Sequence, residues 1–119
     1  YYYIDHAPPA FHLYMPNNPT LERPGKPRSG GAYHSGDLAL VFGSHDKVGV
    51  DWTSDDRTVS AQIVSYWTNF AKTGSPNGDS LPEWPLFDMD SYATQVINSN
   101  TASDQEVITF GDIIKANAR

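Results

Sequence analysis

The most regular hydrophobic pattern of the sequence lies in residues 54–73. Apolar side chains recur there at the three- and four-residue intervals of one α-helical face. These side chains are Val59, Ile63, Tyr66, Trp67 and Phe70. Thr53 and Asp56 are spaced as a capping box, and Gly74 followed by Pro76 is typical of a helix end. The pattern therefore predicts a helix over residues 54–73, with its aromatic stripe packed in a core.

Shorter apolar segments predict strands on both sides of this helix. The opening "YYYID" is rich in aromatic residues that favour strands, and "YATQVIN" alternates like a strand. "EVITF" is expected to pair with it as a hairpin, and "GDIIKANAR" predicts a terminal helix. Between the first strand and the long helix, residues 7–31 hold most of the nine prolines. A compact domain of this size rarely carries so long a loop unless the loop packs against the rest of a larger protein.

Composition narrows the classes of function. Eight Lys and Arg against fourteen Asp and Glu give a net charge of −6, and no basic cluster is present, so nucleic acid is not an expected partner. The chain lacks cysteine, which excludes disulfides and thiolate chemistry within it. The longest apolar run, Leu38 to Phe42, is too short for a membrane span.

The candidate chemistry centres on histidine. The chain has four, His6, His12, His34 and His45. Their spacing matches no common metal site, so no metal or other cofactor is expected. An isolated loop histidine is most often an exposed polar residue. His34 has a distinctive setting in the segment "SGGAYHSGDLALVFG". Small residues flank it on both sides, an acid, Asp37, follows three positions later, and a short apolar run comes next. The nucleophile motif G-x-S-x-G is absent from these residues, so a catalytic His34 needs a serine from elsewhere.

Two blocks of sequence resemble one family. "GAYHSGDLALVFG" is followed by "SYWTNFAKTGSPNG" and then by "WP". In this order they resemble the C-terminal part of type-B carboxylesterases, the α/β-hydrolase family that includes cholinesterases, para-nitrobenzyl esterases and the non-catalytic neuroligins. The family's catalytic histidine and the acid three residues later correspond to His34 and Asp37. Ser35 and Gly36 depart from the His-Gly-aromatic pattern of cholinesterases, which disfavours a choline-selective site.

The resemblance implies an α/β fold, the C-terminal portion of an α/β-hydrolase. Its expected parts are a late sheet strand, the catalytic-histidine loop, a long amphipathic helix and a short terminal hairpin. Residues 1–119 are then expected to form the C-terminal fragment of a single domain that is incomplete by itself. The remaining N-terminal part of the hydrolase is its expected partner. Many family members are exported, which favours a secreted or periplasmic location over others.

The resemblance also implies serine-dependent hydrolysis of a small-molecule carboxylic ester through an acyl-enzyme. His34 is the expected general base, and Asp37 is expected to support it without being the triad acid. The serine and the triad acid are expected upstream, so the isolated segment is expected to be inactive. The small residues around the histidine, Gly30, Gly31, Ser35 and Gly36, are expected to let its loop turn sharply.

Two other interpretations remain open at this point. One is a binding or adhesion protein like the neuroligin branch, with a broken triad. The other is an inactive structural fragment, whose helix face over residues 59–70 is covered by its own residues. If the segment folds alone, exposed strand edges and apolar area are expected to produce a homo-oligomer.

Overall fold

The computed structural model describes residues 1–9, 34–47, 51–99 and 108–117. The helices and strands in chain order are β1 (Tyr2–Ile4), α1 (Leu38–Val41), a 3-10 turn (His45–Lys47), α2 (Ser54–Thr73), β2 (Ala93–Ile97), β3 (Ile108–Thr109) and α3 (Phe110–Asn117). Most of the proline-rich stretch, and with it His12, Gly30 and Gly31, lies outside the described residues. No helix in the described ranges combines the length and the apolar character that crossing a membrane requires.

The three strands form one sheet in the order β1-β2-β3. β1 runs parallel to β2, with Tyr2 opposite Gln95. β2 runs antiparallel to β3, with Ala93 opposite Thr109, which confirms the predicted pairing of the two later strands. Because α2 lies between β1 and β2 in the chain, the parallel pair is joined through a helix, the connection that α/β folds use.

Helix α2 begins and ends where its sequence predicts. The Thr53 hydroxyl accepts the Asp56 backbone N–H (3.3 Å), and the Asp56 carboxylate accepts that of Thr53 (2.7 Å). This completes the capping box. At the other end Gly74 has a φ of 78°, the left-handed conformation that stops a helix, and its N–H bonds to the Phe70 carbonyl (2.8 Å).

The core lies between α1, α2 and the sheet. Its fully buried side chains are Leu40, Val59, Ile63, Tyr66 and Ile97. The aromatic stripe of α2 is therefore buried over its first three positions, but Trp67 is half-buried and Phe70 is 60% exposed. The prediction of a fully packed stripe is wrong at Phe70, because the last turn of the helix borders an open groove in the described part of the chain.

Strand β2 is buried at all five of its positions. The strand predicted from "YATQVIN" is therefore present, and it is the central strand of the sheet. Two of its buried residues, Thr94 and Gln95, are polar. The Gln95 amide donates to the Val96 carbonyl (3.1 Å) and to the Tyr66 hydroxyl (3.4 Å), which satisfies its buried nitrogen.

Tyr66 offers a test of this packing. Its hydroxyl donates to the carbonyl of the buried Pro82 (2.6 Å), and burial raises the pKa of the phenol to about 12. A Tyr66→Phe variant keeps the ring but removes this bond, so we expect it to lower the free energy of unfolding by about 1–3 kcal/mol. Urea denaturation of the full-length protein measures this loss in the free energy of unfolding. Tyr92→Phe, at an exposed tyrosine, is the control with an expected change below about 0.5 kcal/mol, and equal losses would contradict the prediction.

Candidate active site

His34 begins a tight turn that ends at Asp37 and leads directly into α1. The Ser35 carbonyl accepts the backbone N–H of Leu38 (3.3 Å), and the Asp37 carbonyl accepts that of Val41 (2.8 Å). The His34 side chain is exposed. The imidazole is therefore held on an ordered turn and is open to an approaching group.

The backbone of this turn bends at a serine. Ser35 has a φ of 69°, in the left-handed region that residues with a side chain seldom adopt. The prediction that the small residues around His34 allow a sharp turn is therefore supported at Ser35. Gly36 is buried and has no positive φ, so the turn does not use the left-handed conformation of glycine at this position.

A cleft of about 280 Å³ lies between the His34 turn and the end of β1. One side is formed by residues 34–37, and the other by β1 together with His6 and Pro8. The cleft therefore runs along β1 and past its carboxyl end, and β1 is paired in parallel with β2. Open α/β sheets bind their ligands at such ends.

His6 lines the same cleft and is not the exposed loop histidine that the sequence suggests. Its side chain is 12% exposed, and its Nε2 lies 2.7 Å from Oδ1 of the fully buried Asp56. The other oxygen of this carboxylate accepts the backbone N–H (2.7 Å) and the hydroxyl (2.9 Å) of Thr53. Sequence reasoning missed the pair, because the two residues lie 50 positions apart and the capping box alone accounts for Asp56.

Asp37 is half-buried and lines the cleft beside His34. It is the N-cap residue of α1, but its side chain makes no capping hydrogen bond to the helix. Within the described ranges, no hydrogen bond or ion pair joins its carboxylate to the His34 imidazole. The supporting role of Asp37 therefore stays a prediction.

His45 lies outside this cleft. Its ring packs edge-on against Trp52, with 5.9 Å between centroids, and its Nε2 is 3.7 Å from the Asp46 carboxylate. Asp46 also accepts a hydrogen bond from Arg57 (2.9 Å). This bond holds the pKa of the Asp46 carboxyl below its usual value, with a further contribution from the charge of His45.

Among the described residues, no three His, Cys, Asp or Glu side chains are grouped so that they can hold a metal ion.

A second cavity, the aromatic groove, has a volume of about 630 Å³. Its aromatic lining residues are Tyr1, Tyr2, Tyr66, Trp67, Phe70, Trp84 and Phe87. Several of these rings contact one another edge-on, with 5.1 Å between the centroids of Tyr2 and Trp67, whereas Tyr1 and Phe87 are stacked with 4.4 Å between their centroids. The polar side chain of Asn77 in the lining is already engaged by hydrogen bonds within the fold. It donates to the Trp84 carbonyl and accepts from the Trp84 backbone N–H. The groove is an apolar surface, and the groups suited to proton transfer lie in the cleft.

Comparison with known proteins assigns the chain to a family. The model of the carboxylesterase family matches residues 2–110. The chain belongs to the carboxylesterase family. The resemblance indicated by the two sequence blocks is therefore confirmed.

Individual carboxylesterases match over different parts of the chain. Carboxylesterase 4A of Bos taurus is 39% identical over 71 residues, which is 60% of this chain and 13% of that protein. Acylcarnitine hydrolase of Rattus norvegicus is 34% identical over 92 residues, 76% of this chain and 16% of that protein. Liver carboxylesterase of Sus scrofa is 27% identical over 118 residues, 96% of this chain and 21% of that protein. The chain thus spans about a fifth or less of the length of these carboxylesterases.

Solved carboxylesterase structures confirm the predicted fold class. A thermophilic PNB esterase superposes with a TM-score of 0.60 at 28% sequence identity, covering 83% of this chain and 18% of that protein. A second PNB esterase structure gives a TM-score of 0.59 at 27% identity, with 80% and 19% covered. The described elements are therefore part of an α/β-hydrolase fold.

Proposed function

We propose that the protein containing this chain hydrolyses carboxylic esters with a serine nucleophile, and that this chain supplies the general base, His34. The observation that carries the proposal is the position of His34, which is exposed on an ordered turn at the cleft that β1 and the residues after it line. Membership of the carboxylesterase family supports the class of reaction. Two relatives are named for different compounds, acylcarnitine and cocaine. The proposal therefore specifies hydrolysis of an ester bond and leaves the acyl and alcohol parts of the substrate open.

The proposed reaction has two halves. The His34 imidazole takes the proton of the serine hydroxyl as that oxygen attacks the ester carbonyl carbon, and it returns the proton to the departing alcohol. Water then attacks the acyl-enzyme with the same imidazole as base, which releases the acid and restores the serine. Because G-x-S-x-G is absent from these residues, we propose that the serine, its oxyanion donors and the triad acid come from the remaining part of the hydrolase.

The same remaining part is the proposed partner of the aromatic groove. Phe70 is 60% exposed and Leu86 is 93% exposed at this surface. Large apolar side chains grouped in this way usually pack against another body. In the complete hydrolase we expect both of them to be covered.

Labelling with a fluorophosphonate tests the proposed class of enzyme. The full-length protein is expected to form one covalent phosphonyl adduct on serine and to release fluoride, because only an activated serine attacks the reagent at a useful rate. Protein unfolded by heat is the control and is expected to remain unlabelled. A folded full-length protein that gives no adduct would contradict the proposal and would favour the binding protein of the neuroligin type.

A further inference from the structure

Two buried polar residues of α2 bond to the segment after β1, which lines the His34 cleft, and to α1, which directly follows the His34 turn. Asp56 and Ser60 are four positions apart, so they lie on one face of the helix. Their exposed fractions are 0% and 2%. Asp56 bonds to His6, which follows β1, and Ser60 bonds to Leu40, which belongs to α1. Neither residue is open to a substrate, so any effect on the reaction passes through the groups that they hold.

The first link fixes the β1 side of the cleft. His6 is held by the Asp56 carboxylate at 2.7 Å, and that carboxylate is itself fixed by two bonds from Thr53. The preceding residue, Asp5, donates its backbone N–H to the Ile97 carbonyl of β2 (2.9 Å). The chain just after β1 is therefore tied both to the central strand and to the first turn of α2.

The second link fixes the segment that follows His34. The Ser60 hydroxyl donates to the Leu40 carbonyl at 2.8 Å, and that carbonyl also accepts the backbone N–H of Gly43 (3.2 Å). Helix α1 has only four residues, too few to hold its own conformation in water. Its place is therefore set by what α2 provides, namely the Ser60 bond and the packing of the buried Leu40.

We propose that Asp56 and Ser60 are positioning residues for His34. Through one helix face they fix the spacing between the end of β1 and α1, and the His34 turn leads directly into α1. The inference rests on the proposed function of His34 as the general base. It adds a requirement that the family assignment does not contain: the hydroxyl of Ser60 and the carboxylate of Asp56 act on the chemical step through the segments that they hold.

The expected signature is a loss in kcat with little change in KM. A general base displaced by about 1 Å costs on the order of a hundredfold in rate, whereas Asp56 and Ser60 are too deeply buried to contact the ester themselves. In the full-length enzyme we expect Ser60→Ala to lower kcat about 10- to 100-fold and to leave KM within about threefold. Ser65→Ala, the same change at a half-buried serine of α2 that lines another cavity, is the matched control with unchanged kcat.

Asp56 is tested by a second pair of variants. Asp56→Asn keeps an acceptor oxygen for the helix cap but removes the charge that holds His6, and we expect the same loss in kcat. Asp55→Asn changes the neighbouring exposed carboxylate and is expected to leave kcat unchanged. Turnover of para-nitrophenyl butyrate is measured at a temperature at which circular dichroism shows every variant folded.

Combination with His34→Ala separates positioning from general destabilisation. If Ser60 acts through His34, Ser60→Ala has no further effect on the residual rate of the His34→Ala enzyme. Two results would overturn the inference and leave the esterase assignment unchanged. One is a Ser60→Ala substitution that lowers the rate as much in the His34→Ala enzyme as in the wild type. The other is a Ser60→Ala enzyme whose kcat equals that of Ser65→Ala. A wild-type protein that neither turns over the ester nor reacts with a fluorophosphonate would instead overturn the proposed function, and this inference with it.

Discussion

A His34→Ala variant of the full-length protein is expected to lose at least about a thousandfold in ester turnover, because both proton transfers of the proposed reaction pass through this imidazole. The loss should lie in kcat, since His34 moves a proton in the transition state and need not bind the ester in the ground state. Initial rates of para-nitrophenyl butyrate hydrolysis at neutral pH measure it. Full activity in this variant would remove His34 from the mechanism.

Two other histidines serve as controls for this prediction. His45 packs against Trp52 away from the cleft, so His45→Ala is expected to retain turnover. His6 lines the cleft with His34, but its Nε2 is engaged by the buried Asp56. We expect His6→Ala to be impaired less than His34→Ala. The opposite order would make the pair of His6 and Asp56 the catalytic one.

The largest expected loss of stability concerns Leu40. This side chain is fully buried in the core, whereas Leu38 in the same short helix is 45% exposed. Leu40→Ala leaves a cavity between α1 and α2, and we expect the free energy of unfolding to fall by about 2–5 kcal/mol. Urea denaturation of the full-length protein, with the transition followed by tryptophan fluorescence, measures the change.

Leu38→Ala is the matched control for this experiment. It makes the same substitution two residues away, and its expected cost is below about 1 kcal/mol because little apolar area is lost. Equal costs for the two leucines would contradict the packing of α1 described above. A large loss for Leu40→Ala alone would show that the segment after His34 depends on the core for its position.

Local chemistry explains what could be predicted of the fold. The bounds of α2 follow from Thr53, Asp56 and Gly74, whose effects act within one turn of the chain. The exposure of Phe70 could not be predicted, because a hydrophobic period shows which face is apolar and not how far along the helix that face is covered. The burial of all five positions of β2 depends on what the rest of the fold packs against the strand, which its own residues do not encode.

The candidate site was predictable to a smaller extent. His34 and Asp37 are identified by their resemblance to a family pattern, whereas the pair of His6 and Asp56 carries no such mark. A hydrogen bond between residues 50 positions apart forms only because the sheet and α2 bring them together, and no periodicity or spacing predicts it. The same holds for the bond from Ser60 to Leu40.

The parallel pairing of β1 with β2 has a consequence for synthesis on the ribosome. Tyr2 finds its partner Gln95 only after roughly ninety further residues have been translated, which takes on the order of 5–20 s at the usual rates. During that interval the aromatic strand has no β2 on which to form its ladder, and such exposed apolar segments are prone to aggregate. The sheet position of "YYYI" beside β2 is therefore expected to be completed late, after β2 has emerged from the ribosome.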